Sequence, residues 1–407
     1  MIGFSNFKTA RILAGAAGVL TVFLCLSGCG SEFPPYPSDL KYPARTEPIV
    51  TATLTTVPSK FDRPGELFNV LWGLDPDDRE QHVLYPKNPK VTADQRKQIK
   101  ELERRLDELF GTPSQPTVGG VDDEFREALK LDDDTLRYGS RLYRVHCLHC
   151  HGVAGNGRGP TAPWVNPHPR DYRLGKFKFT STKGGNERKP RRADLLRTLR
   201  EGIEGTSMPS FGLLKEEELE GLVSYVIHLS IRGQLEFQVM KEILMDDADL
   251  AEPEGVSKRM DEYMDASNEN SITGSWKAAQ QEDHVIAPET PYPSKEERKA
   301  SVQRGFEKFR QQTGAGCIKC HTDYGRQSLL FYDDWGTIGR PADLTTGVYR
   351  GGRRPIDLYW RIHSGINGSN MPNFSGSLSS KDIWDVVNFL QVLPYPGMRE
   401  EYGVQID

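Results

Sequence analysis

The sequence predicts an all-α protein: two tandem helical domains, an N-terminal extension before them, and a helical or irregular acidic linker between them. Three observations carry that prediction. Two stretches, GIEGTSMPSF at Gly202 to Phe211 and GINGSNMPNF at Gly365 to Phe374, repeat one frame 163 residues apart. The match continues upstream, where Asp194-Leu195, Leu199 and Gly202 correspond to Asp357-Leu358, Ile362 and Gly365. Each copy then closes on apolar residues at helical spacing, Leu219, Leu222, Val223, Tyr225 and Val226 in the first and Ile383, Val386, Val387, Phe389 and Leu390 in the second. Ser379 and Asp382 are set to cap that last helix.

Residues 1–28 read as a targeting segment. Lys8 and Arg11 precede an apolar run from Ile12 to Leu26, which is shorter than the roughly 20 residues a spanning helix needs. Its end, Leu26-Ser27-Gly28-Cys29, is similar to the bacterial lipobox, so Cys29 is expected to become the lipidated first residue of an exported chain anchored to a membrane, periplasmic or on the outer face of the cytoplasmic membrane. An ordinary signal peptide with a chance cysteine is the alternative. Of the six cysteines, Cys25 lies in the signal and Cys29 at the anchor, which leaves Cys147/Cys150 and Cys317/Cys320. Two close pairs do not make a disulfide-stapled secreted chain, so they call for another chemistry.

The extension covers 29–120. Residues 30 to 60 are rich in Pro, Ser and Thr and read as an extended tether. A helix is expected from Thr92, where Thr92 and Gln95 form a capping box, to just before Gly111, with Ile99, Leu102, Leu106 and Leu109 as its apolar stripe. The first domain is placed at 121–234, the linker at 235–293 and the second domain at 294–397. Residues 241 to 290 hold 13 Asp/Glu against 4 Lys/Arg, a net −9 that reads as a solvated linker. Met240, Met245, Met260 and Met264 share no frame and read as packing or loop residues. Residues 170 to 200 carry 11 Lys/Arg against 3 Asp/Glu, either a docking surface for an acidic partner or an internal match to other charge. A net charge of −5 and an isoelectric point near 6.1 argue against nucleic acid as a partner. With 37% hydrophobic residues and a mean hydropathy of −0.57, small domains cut from this chain bury little core, and an outside apolar body would help.

Cys147-Leu148-His149-Cys150-His151 and Cys317-Ile318-Lys319-Cys320-His321 are both Cys-x-x-Cys-His, the attachment signature of covalent haem c. Within one turn, two thiols reach the two vinyl groups of one porphyrin while the adjacent imidazole faces the iron. Zinc or a redox dithiol explains a cysteine pair but not the histidine that follows both. Met208 and Met371, at 57 and 50 residues beyond His151 and His321, are the candidate sixth ligands. Pro209 and Pro372 bias each methionine toward extended backbone, off the preceding helix. The expected iron ligands are therefore His151, Met208, His321 and Met371, with two covalently bound haems and no catalytic residue.

Both copies resemble the class I cytochromes c, all-α domains wrapped around one haem. The resemblance includes Gly139/Tyr143 and Gly305/Phe309, where that family crosses its first and last helices, and Tyr225 and Phe389 on the last helix. It implies that a proline carbonyl orients the proximal imidazole, best matched by Pro160 and more weakly by Pro341. The second copy departs by having seven residues between Phe309 and Cys317 instead of three, which suggests an extra turn. Residues 151–182 are also similar to cytochrome subunits of bacterial respiratory complexes. The function implied is electron transfer between a quinol-oxidising complex and a terminal oxidase. A di-haem peroxidase is the alternative; it would need one displaceable sixth ligand, for which His363 is the competitor near Met371. A haem sensor or assembly subunit, with residues 61 to 120 binding a partner, is a third reading. His146, His228 and His363 read as ordinary surface or packed histidines.

Overall fold

In the computed structural model, the described residues are 33–47, 49–50, 83–84, 91–184, 188–289, 294–312 and 315–406. Residues 1–28, expected to be a targeting segment, and Cys29 lie outside them. The helices are α1 (Ala93–Phe110), α2 (Asp123–Leu129), α3 (Asp133–His146), the single turn α4 (Leu148–His151), α5 (Arg192–Glu201), α6 (Glu216–Leu244), α7 (Pro253–Tyr263), α8 (Ile272–Ala278), α9 (Lys295–Arg310), α10 (Pro355–Ser364), α11 (Ser380–Val392) and α12 (Pro396–Tyr402). Among the described residues, three antiparallel pairs of two residues each are the sheet content: β1 (Ile49–Val50) with β2 (Val83–Leu84), β3 (Gly111–Thr112) with β4 (Gln115–Pro116), and β5 (Phe331–Tyr332) with β6 (Ile338–Gly339). Among the described residues no helix is long and apolar enough to cross a membrane.

Each repeat closes on the same helix crossing. A Cβ on Gly139 of α3 would lie 2.0 Å from the Gly221 carbonyl of α6, and one on Gly305 of α9 would lie 1.9 Å from the Asp385 carbonyl of α11. These two positions admit no side chain because the backbones touch there. One turn further along, Tyr143 meets Tyr225 edge-on at 5.2 Å and Phe309 meets Phe389 at 5.4 Å, as the resemblance implied. In the second crossing the buried Asp385 carboxylate accepts from Ser301 Oγ (2.7 Å) and from Arg304 Nε and Nη2 (2.8 Å each), which ties α9 to α11 with charge-assisted bonds.

The extension and the acidic segment fold differently from the expectation. The capping box of Thr92 and Gln95 forms as expected, and α1 buries Leu102, Leu106 and Leu109. The linker, however, is not solvated. The helix α6 runs unbroken across residue 234, and Val239, Met240, Ile243, Leu250, Val256, Met260, Met264, Ile272 and Trp276 join the core of the first domain, while Met245 is exposed. The acidic residues take the outer faces, leaving an apolar stripe at helical spacing to pack inward. The described part of the tether is likewise bound rather than free. Tyr36, Tyr42 and Arg45 are buried, Tyr42 Oη bonds the hydroxyl of Tyr225 and Nε2 of His228 at 3.0 Å each, and Arg45 N–H donates to Glu236 at 2.8 Å.

The basic segment is spent inside the molecule, and on the second domain more than on the acidic one. Lys178 reaches Asp333 (3.0 Å), Lys176 reaches Asp334 (2.8 Å) and Arg197 reaches Asp357 (3.6 Å). Arg188 donates through Nη2 to the Gly365 carbonyl (2.7 Å), and Asn367 Nδ2 donates back to the Arg188 carbonyl (3.0 Å). Arg191 pairs with Glu282, the one ion pair to the acidic segment that this stretch makes among the described residues. Docking of an acidic partner on this face therefore loses its basis.

Candidate metal centres

The first Cys-x-x-Cys-His grows out of α3. Cys147 caps that helix, with its N–H donating to the Tyr143 carbonyl (2.9 Å), and the His151 N–H returns to the Cys147 carbonyl (2.9 Å), so both thiols and the imidazole sit on one turn. Gly152, at φ +74°, ends the turn. In the second repeat, Gly316 in the left-handed region starts a tight turn, and the His321 N–H donates to the Cys317 carbonyl at 2.9 Å. The additional residues before Cys317 do not prolong the helix: α9 stops at Arg310, and Gln311 after it has non-helical dihedrals (φ −57°, ψ 134°). The four cysteines of the two motifs are free, and burial pushes the Cys147 thiol up to about 12 and that of Cys317 to about 11.

Each proximal histidine is oriented by one backbone carbonyl. His151 Nδ1 lies 3.1 Å from the Arg170 carbonyl, and His321 Nδ1 lies 3.1 Å from the Ala342 carbonyl. A carbonyl can only accept, so the proton is on Nδ1 and the Nε2 lone pair is left for a metal. Burial holds the His151 imidazole at about 4 and lowers His321 in the same direction, so both stay neutral near pH 7. Pro160 does not supply this carbonyl. The acceptors follow Pro169 and Pro341, in a frame the sequence reading missed: Pro169-Arg170-Asp171…Gly175 and Pro341-Ala342-Asp343…Gly347. In both, the aspartate accepts the N–H two residues on and caps a short 3-10 turn, and the glycine ends it in the left-handed region. The shared Pro-x-Asp-x-x-x-Gly pattern was a signal, obscured by different spacing from the cysteines. The two surroundings differ in what packs on the imidazole. Tyr172 stacks on the His151 ring at 4.7 Å, whereas Leu344 holds the matching position in the second repeat.

The methionine loops are superimposable in their bonding. The Ile203 N–H donates to the Met208 carbonyl and the Ile366 N–H to that of Met371, at 3.1 Å each. The Thr206 and Ser369 hydroxyls donate back to Ile203 O and Ile366 O (2.7 and 2.8 Å), and accept from the Met208 and Met371 N–H groups (3.1 and 3.3 Å). Gly202 (φ +70°) and Gly365 (φ +72°) have no room for a Cβ, which would meet the Met208 and Met371 carbonyls at 2.8 and 2.6 Å. The recurrent sequence frame is thus a rigid backbone clamp around the residue before proline. The hydroxyl at its fifth position is a functional part that the sequence reading passed over. Met208 packs against the first core and Met371 against the second, each within its own domain.

These residues fit a haem. Each domain offers two free thiols one turn from an imidazole with a defined tautomer, and a soft thioether on a separate clamped loop against the same core. Among the other histidines, His228 is fully buried and stacked on Tyr225 at 5.5 Å, His146 lies between Phe33 and Phe211, and His363 stacks on Tyr359 at 5.8 Å.

Residues 134–226 and 300–390 match the family model described as cytochrome c oxidase, cbb3-type, subunit III. A solved structure the chain is similar to belongs to the reducing HAO-like protein complex of Kuenenia stuttgartiensis, at 23% identity and a TM-score of 0.44, over 63% of this chain and 95% of that one. No curated protein matches the chain.

Proposed function

From two class I cytochrome c domains in tandem, which bind haem c covalently, we propose that this chain is a di-haem electron carrier of a bacterial respiratory chain, passing electrons from a quinol-oxidising complex toward a terminal oxidase. The chain is exported and held to the membrane through a lipid on Cys29. Haem supplies reversible one-electron transfer. Cys147/Cys150 and Cys317/Cys320 would hold it to the protein, and His151, Met208, His321 and Met371 would be its iron ligands. The observation that carries the reading is the internal hydrogen-bond clamp that the two methionine loops share. A clamp of this kind keeps a ligand in place through a change of iron charge, so little rearranges when an electron arrives or leaves. An enzyme acting at the iron requires the opposite, a position that opens.

The test is the optical spectrum of the oxidised protein. The weak sulfur-to-iron charge-transfer band is expected, and Met208→Ala and Met371→Ala should each remove part of it. High-spin haem in the native protein, or peroxide turnover at an enzyme's rate, overturns the carrier and leaves a di-haem peroxidase.

A further inference from the structure

Between the two centres one side chain touches the surroundings of both. The hairpin of β5 and β6 presents Trp335 at its turn. Its indole Nε1–H donates to the Asp171 carbonyl at 3.0 Å, and Asp171 directly follows Arg170, whose carbonyl accepts from His151. The Arg170 guanidinium lies 3.6 Å from the centre of the indole ring, a cation–π contact between two partly buried side chains. On its other side the ring abuts Gly368, three residues before Met371. A Cβ at Gly368 would lie 2.3 Å from the ring atoms Cη2 and Cζ3, and the Asp334 N–H donates to the Gly368 carbonyl at 3.0 Å. Asp333 fixes the turn that carries the ring. Its Oδ1 accepts from the N–H groups of Trp335 (3.1 Å) and Thr337 (2.9 Å), while Oδ2 takes Lys178 Nζ (3.0 Å).

The consequence is a path of contacts from the first ligand set to the loop that carries the second: His151, Arg170, Asp171, Trp335 and Gly368, the last of these three residues before Met371. The acceptor behind a ligating imidazole sets its ring orientation and its basicity toward the metal. Here that acceptor's position depends on a residue of the other domain. We propose that Trp335, contributed by the second domain, is a positioning residue for the proximal ligand of the first, and that it joins the two haem sites. The inference rests on the di-haem reading above.

The experiment uses the full-length haem-loaded protein and two readouts, a potentiometric titration that resolves the two haems and the rate of electron re-equilibration between them after light-driven reduction. Met371→His, which exchanges a thioether for an imidazole in the second domain, assigns the two steps. Trp335→Phe keeps a ring against Arg170 and Gly368 but removes the N–H donor. It should shift the potential of the first haem, leave that of the second at the wild-type value, and slow re-equilibration severalfold. Trp335→Leu, which also removes the cation–π contact, should enlarge both effects. Should the leucine variant not fold, the phenylalanine variant still decides. Wild-type potentials and rate in Trp335→Phe, or equal shifts of both haems, overturn the inference while the di-haem reading stands. A wild-type protein without two His/Met haems overturns both.

Discussion

Replacing Arg188 with alanine tests whether the first domain holds the methionine loop of the second. The buried guanidinium donates to Thr180 Oγ1 (2.8 Å) and across the seam to the Gly365 carbonyl (2.7 Å), the residue that opens the Met371 loop. Two bonds from a charged donor contribute about 1.5–3 kcal/mol each. Against them stands desolvation, with Asp194 offsetting a small part. Burial holds the Arg188 guanidinium at about 10, below its usual 12.5, a disadvantage of about 3 kcal/mol. The difference leaves Arg188→Ala with a loss of about 0–3 kcal/mol in global stability. The local effect is larger in kind, since the loop keeps its internal clamp but loses its external anchor. Urea denaturation gives the first quantity and the charge-transfer band of the oxidised protein gives the second. The expected result is a modest stability change with weakening of the Met371 share of the band and retention of the Met208 share. A destabilisation above about 5 kcal/mol with the band intact would refute the reasoning, because Arg188 would then be a core residue and not a loop anchor.

Gly305→Ala should force α9 from α11, since its Cβ would lie 1.9 Å from the Asp385 carbonyl; a cost of about 1–3 kcal/mol or more is expected. It should lower the thermal midpoint of the second domain by at least about 4 °C, and an unchanged midpoint would show that the crossing is looser than described. His228 is a pH element. Burial holds its folded-state value at about 3 against the usual 6.5, so the unfolded chain takes up the proton first as pH falls. Its contribution is complete above pH 6.5 and is lost between 6.5 and 3, about 5 kcal/mol at most. The difference in stability between wild type and His228→Gln should therefore shrink as pH falls from 7 to 4, and a difference constant over that range would exclude His228 as its source.

What could be read in the sequence was whatever is written in a short local frame. The Cys-x-x-Cys-His motifs, the methionine loops, the glycine-to-aromatic steps from Gly139 to Tyr143 and from Gly305 to Phe309, and the Thr92 cap are each recognisable from residues within a few positions of each other. What was missed depends on partners distant in the chain. The carbonyl that orients His151 belongs to Arg170, 19 residues on, and its counterpart Ala342 lies 21 beyond His321, so neither falls at a fixed local spacing. The acidic stretch looked solvated because composition averages over faces. Val256 and Met260, one helical turn apart, already marked an inward side. The basic stretch looked like a docking surface because its partners, Asp333, Asp334 and Asp357, come more than a hundred residues later.

The way the extension is bound sets how far the molecule can stand from a lipid surface. Phe33 lies against Tyr138 at 6.4 Å and His146 at 6.0 Å, at the end of the helix that leads into Cys147. With an acyl group on Cys29, Ser31 and its neighbours between that cysteine and Phe33 amount to a leash of roughly 14 Å at full stretch. Under the proposed anchoring, so short a leash would keep the first domain close to the headgroups and confine the search for redox partners to the plane of the bilayer.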